Sequence, residues 1–119
     1  MYRVEFILPV LQNDGLTSNL GEIARIEKWL GLEYNGFTST QVRGGWIDKE
    51  TNEYHEDVSY QVWTLVPTQE DVSALLLKAH LWACRLDQIS LLVTVTNTEV
   101  HFIEGVRAEE RSTVAEYRP

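Results

Sequence analysis

Arg43, Trp46, His55, Glu56 and Asp57 bracket a turn-rich segment, DKETNE (48–53). A histidine and an aspartate on one face of a strand, with an arginine on the paired arm, could move a proton at a carbonyl substrate or hold an anion. Successive strand residues point to opposite faces, so His55 and Asp57 share a face while Glu56 does not. Arg43, His55 and Asp57 are thus the catalytic candidates. The plainer reading is a charged ribbon end that stays in water, where such pairs are common and contribute little. On that reading no catalytic residue is assigned, and Arg43, Trp46, His55 and Asp57 are binding candidates instead.

Other chemistries lack their residues. His80 and Cys84 are four apart on a helical pattern and share a face, but no third or fourth metal ligand lies nearby, and His101 has no evident partner. Cys84 reads as a small apolar residue. No Gly-x-Ser-x-Gly elbow is present, and NDG (13–15) is a turn without the glycines and lysine of a phosphate loop. No metal and no cofactor is expected.

The elements that must position these residues follow from periodicity. YRVEFILP (2–9) alternates as a strand, and QNDGLTSN (12–19) is a loop ending in Ser18 or Asn19 as helix cap. Ile23, Ile26, Trp29 and Leu30 recur at helical spacing, with Gly31 as the expected terminator. FTSTQVRGGWIDKETNEYHEDVSYQVWTLVP (37–67) is a long β-ribbon, and Gly44-Gly45 suggests a bulge in its first arm. Thr68 and Asp71 make a capping signature for a second helix, 68–86, whose apolar stripe is widened by Leu77, Leu81 and Cys84. QISLLVTVTN (88–97) reads as a strand, Asn97-Thr98 as a turn, and EVHFI (99–103) as a short extra strand. Residues 1–104 form one domain, followed by a charged tail, 105–119.

The order strand, helix, strand, strand, helix, strand resembles the ferredoxin-like, split βαβ plait, an α+β sandwich with two helices on one face of an antiparallel sheet. The resemblance extends to dimeric α+β barrel proteins, in which such sheets pack face to face. Strand parity then assigns Arg3, Glu5, Ile7, Gln41, Arg43, Asp57, Ser59, Gln61, Trp63, Leu65, Leu92 and Thr94 to the open face. Trp63, Leu65, Ile7 and Leu92 would form an apolar patch there, which makes Trp63 and Leu65 binding candidates as well.

Composition narrows the function classes. The 119 residues suffice for one core, and 10 basic against 18 acidic residues give a formal charge of −8. That balance opposes binding to nucleic acid backbones and to anionic membranes. The single cysteine permits no internal disulfide, and no signal peptide or spanning segment is evident, so a cytoplasmic protein is expected. The leading expectation is a non-enzymatic binding or assembly module, a homodimer that works through its ribbon and sheet face toward itself or a protein partner. The alternatives are a small-molecule enzyme of dimeric α+β barrel type and an acidic inhibitor that imitates nucleic acid, as some phage-encoded proteins do.

Overall fold

Residues 1–106 are described by a computed structural model. The remainder of the charged tail, 107–119, lies outside the described residues. The elements are β1 (Tyr2–Pro9), α1 (Leu20–Tyr34), β2 (Thr38–Ile47), β3 (Tyr54–Val66), α2 (Gln69–Arg85) and β4 (Leu92–Asn97). All neighbouring strands are antiparallel in the order β2-β3-β1-β4, which is the ferredoxin-like plait. No helix among the described residues is long and apolar enough to cross a membrane.

Alternation in β1 buries Val4, Phe6 and Leu8 on one face, and Val62 and Val66 of β3 extend the same layer. Ile23, Ile26 and Leu30 of α1 and Leu75, Ala79 and Trp82 of α2 cover it at helical spacing. Trp82 stands edge-on to Phe6 at 5.3 Å and to Trp29 at 5.6 Å, so indole rings tie both helices to the sheet. Thr64 is the polar exception on this layer. Its hydroxyl donates to Gly36 O at 2.7 Å, so burial leaves it satisfied and fixes the α1–β2 connection.

Asn19 occupies the cap position of α1, but its side chain does not cap the helix. The buried carboxamide donates from Nδ2 to Pro9 O at 3.1 Å and to Leu86 O at 2.9 Å. One side chain thereby joins the end of β1, the start of α1 and the end of α2. Leu20 N turns instead to Ser18 Oγ at 3.1 Å. Thr68 caps α2 as its spacing implies: its Oγ1 accepts from Asp71 N at 3.1 Å and donates to Asp71 Oδ2 at 2.8 Å.

Several boundaries differ from expectation. Gly31 lies inside α1, which continues through Tyr34 to Asn35, the residue that takes the left-handed conformation (φ 68°). Tyr34 explains the extra turn, since its ring packs edge-on to Trp29 at 5.8 Å. β4 begins only at Leu92, and Ile89 is almost fully exposed. β1 limits it, because Ile7 opposite Leu92 is the last pair in that ladder. Residues 99–103 are not a strand. Thr98 N donates to Met1 O at 2.9 Å, and beyond that bond the chain leaves the sheet.

Replacing Asn19 by Ala should destabilise the fold by about 1–3 kcal/mol, because the Pro9 and Leu86 carbonyls lose a donor in a site closed to water. Urea denaturation should show a lower midpoint with an unchanged slope. An unchanged midpoint would remove the bridging role.

Candidate functional site

β1 pairs with β3 only from Ser59 to Val66, whereas β2 continues alongside β3 to Tyr54. The segment from Arg43 to Val58 therefore leaves the sheet as a two-stranded ribbon. An isolated ribbon of two strands is marginal in water, so cross-strand side-chain pairs must hold it. Trp46 lies directly opposite His55, and their rings stack at 4.5 Å with planes 21° apart. The indole Nε1–H donates to Asp57 Oδ2 at 3.2 Å, which fixes the ring along the strand. Tyr54 covers the other face: its hydroxyl donates to Glu56 Oε1 at 3.0 Å, and its ring lies across Gly45. A Cβ at Gly45 would sit 2.5 Å from the Tyr54 hydroxyl, so any larger residue there would push the exposed tyrosine ring aside.

The ladder from Thr38 opposite Trp63 to Ile47 opposite Tyr54 is uninterrupted. Gly44-Gly45 is therefore not a bulge, and the facing of the first arm is the reverse of that expected. Thr38, Thr40, Val42 and Trp46 share the open face with Trp63, Gln61, Ser59 and His55. Gln41 and Arg43 lie on the helix-side face, where Arg43 Nε is 4.0 Å from Glu56 Oε1. Arg43 thus falls outside the set formed by Trp46, His55 and Asp57. The parity of β3 itself is as expected, with Trp63 and Leu65 on the open face and Val62, Thr64 and Val66 buried.

Trp63 and Leu65 form a second, separate cluster. Eight strand positions separate Trp63 from His55, about 27 Å at 3.4 Å per residue. Both residues border a groove of about 500 Å³ with Tyr34, Phe37 and Phe102. Ile7 and Leu92 do not join them, because Gln61 and Glu5 lie between. In place of the expected continuous apolar patch, a polar band crosses the sheet. Glu5 Oε1 accepts from Arg3 at 2.9 Å and from Gln61 at 2.7 Å, and Oε2 accepts from Thr94 at 3.4 Å. The Arg3 guanidinium also lies 4.2 Å over the Trp63 ring, covering part of it.

A larger groove, about 620 Å³, opens where β1 ends and the β3 edge runs free. Its walls are Trp46, Glu56 and Asp57 from the ribbon, Leu11 and Gln12 from the β1–α1 loop, and Gln88 after α2. The loop is a built element. Leu11 bridges Ser18, and the exposed Asp14 carboxylate accepts from Leu16 N, Thr17 N and the Thr17 hydroxyl. Gly15 takes a left-handed turn conformation (φ 70°). Gln88 is anchored by Nε2 to Leu86 O at 3.0 Å and to Leu11 O at 3.2 Å. No local signal marks Gln88 or Leu11 as wall residues, since the fold alone brings them together. Glu5 did carry a signal: a carboxylate between Val4 and Phe6, two positions from Arg3 and so on the same strand face. Among the described residues no cluster of three or more His, Cys, Asp or Glu is placed to hold a metal ion.

Partial burial pushes the Glu5 carboxyl up, but the Gln61 and Arg3 hydrogen bonds, the Arg3 charge and the Thr94 contact outweigh it. The group titrates below its ordinary 4.5. A depressed folded-state value means that ionised Glu5 contributes stability above the unfolded value, and that this is lost as pH falls through the folded one. Urea unfolding between about pH 7 and about pH 3 should therefore show Glu5→Gln less stable than the parent near neutrality, with a shallower acid decline. Parallel pH profiles for the two proteins would contradict the network.

No protein-family model and no curated protein sequence matches the chain. Solved structures of a phage SAM lyase are similar. The complex with S-methyl-5'-thioadenosine is 11% identical, with 80% of this chain and 79% of that one covered and a TM-score of 0.62. The apo state is 12% identical, with 80% and 78% covered and a TM-score of 0.59. At such identity the likeness shows a shared fold and nothing of activity.

Proposed function

We propose that the protein is a binding and assembly domain whose working surface is the free end of the β2–β3 ribbon. The observation that carries this reading is the ordered Trp46–His55 stack, held by Asp57 beyond the last contact with β1. Trp46 is about half exposed although its ring is fixed, so binding there would lose little side-chain entropy. Tryptophan and arginine are frequent interface anchors. Around the stack stand Asp48, Glu50, Glu53, Glu56 and Asp57, against Arg43 and Lys49. The partner this tip fits is a protein surface with net positive charge.

A homodimer belongs to the same reading, with the outer face of α2 as its contact. Leu77 is 77% exposed and Leu81 39%, and with exposed Leu76 and Cys84 they line one side of the helix. A second reading draws on the fold likeness. Since a phage SAM lyase is solved with S-methyl-5'-thioadenosine, this reading puts a nucleoside-sized ligand in the larger groove.

Two measurements test the proposal. The 48–53 turn can be replaced by Asn-Gly, and Arg43 and Trp46 by Ala, with circular dichroism to confirm folding. Proteins captured by the parent should be lost from this variant and released near 1 M salt, where the screening length is about 3 Å. Unchanged capture would make the ribbon scaffolding. Sedimentation at micromolar concentration should give a mass near twice 13.7 kDa, and Leu77→Glu with Leu81→Glu should return it to one. A parent that stays monomeric would remove the assembly part of the proposal.

A further inference from the structure

Taking the ribbon as the binding surface, we infer that the free edge of β3 beside the larger groove receives an extended basic peptide as an added strand. That edge follows from the ladders. Val10 N donates to Val58 O at 3.0 Å, the last backbone bond on that side of β3 among the described residues. Main-chain groups alternate in direction along a strand, so those of Glu56 and Tyr54 point the same way as Val58 O. β2 lies on the opposite side and does not use them. There Asp48 N donates to Glu53 O at 2.9 Å, and the same alternation aims His55 and Asp57 at β2. Glu56 and Tyr54 thus each present an N–H and a C=O with no backbone partner among the described residues.

Two other edges are open as well. Stepping from Asp48 turns Ser39, Gln41 and Arg43 outward on β2, and stepping from Thr98, whose N donates to Met1 O, turns Val93 and Val95 outward on β4. The β3 edge differs in being walled. After β1 the chain swings off as a loop closed by the Leu11–Ser18 bridge, and Leu11, Gln12 and Asn13 line a groove of about 620 Å³ together with Glu56 and Val58. A strand laid there continues the line of β1, as in recognition by strand addition. Its successive side chains fall on opposite faces of the sheet, one beside Glu56 and the next beside Asp57. None of the described residues lining the groove is Lys, Arg or His. Arg43, 4.0 Å away, offsets part of the Glu56 charge, whereas Asp57 accepts only the neutral Trp46 indole N–H. Basic residues at neighbouring peptide positions match this pattern, and acidic ones are repelled.

The test titrates the whole ¹⁵N-labelled protein with the capped peptide Thr-Val-Lys-Lys-Val-Thr. The backbone amides of Glu56 and Tyr54 should shift and exchange more slowly with solvent, while those of Ser39, Gln41, Val93 and Val95 stay as they were. N-methylation of every second peptide residue removes the donors along one edge of the added strand. Of the two such peptides, one should bind about tenfold more weakly than the other. Replacing both lysines by glutamate should abolish the shifts. No shift at Glu56, shifts confined to the outer edges of β2 or β4, or equal binding of the two N-methylated peptides would each overturn the inference. Proteins lost from the ribbon variant without any peptide shift would leave the ribbon reading standing and remove strand addition. Unchanged capture by that variant would remove the ribbon reading, and the Glu56 amide would still report on the edge.

Discussion

The carboxamide of Asn19 is the contact on which the arrangement of the elements depends. Hydrophobic burial brings the helices onto the sheet but is not directional, and does not by itself fix where each element ends. Two hydrogen bonds from one buried nitrogen, to Pro9 O and Leu86 O, set the end of β1 and the end of α2 relative to the start of α1. Asn19 N also donates to Val10 O at 2.7 Å, so backbone and side chain hold the same corner. Both chains that leave this corner become groove walls, the loop with Leu11 and Gln12 and the turn with Gln88. The groove is thus a by-product of how the corner is closed.

The ribbon is governed by a different constraint. β1 pairs with it no farther than Ser59, and past the bond from Val10 N to Val58 O at 3.0 Å no strand among the described residues flanks β3 on that side. Stacked Trp46 and His55 on one side, and Tyr54 over Gly45 on the other, supply the local contacts that replace a core. These same rings are the exposed features of the tip. What keeps the ribbon formed and what it can present to a partner are one set of side chains.

Much of the fold was legible because burial enforces periodicity. β1, the parity of β3 and the Thr68–Asp71 start of α2 all follow from alternation or capping. The errors fall where burial is weak. β2 is mostly exposed on both sides, so its residues carry no alternating apolar signal, and its facing was settled by pairing with β3. Gly31 looked like a helix end, yet packing of Tyr34 on Trp29 carried the helix a turn further. His55 and Asp57 were placed together by parity, and Trp46 joined them through register. Arg43 was misplaced together with Gln41, because the facing of the whole first arm was reversed. The groove could not be read at all, since residues 11, 46, 57 and 88 meet only through tertiary closure.

The pairing pattern also orders the way this chain can reach its native state. β2 and β3 are joined by a single turn, with Ile47 facing Tyr54, so their pairing closes a short loop. β1 must find β4 with Arg3 facing Thr96, nearly the whole domain away in sequence. Closing long loops is entropically dearer and slower, and hairpins form in about 1–10 μs. The ribbon needs only its own turn to pair, whereas β1 completes its two ladders only after both ends of the domain have met. The part of the molecule that reaches farthest from the core is therefore the part whose structure can exist earliest.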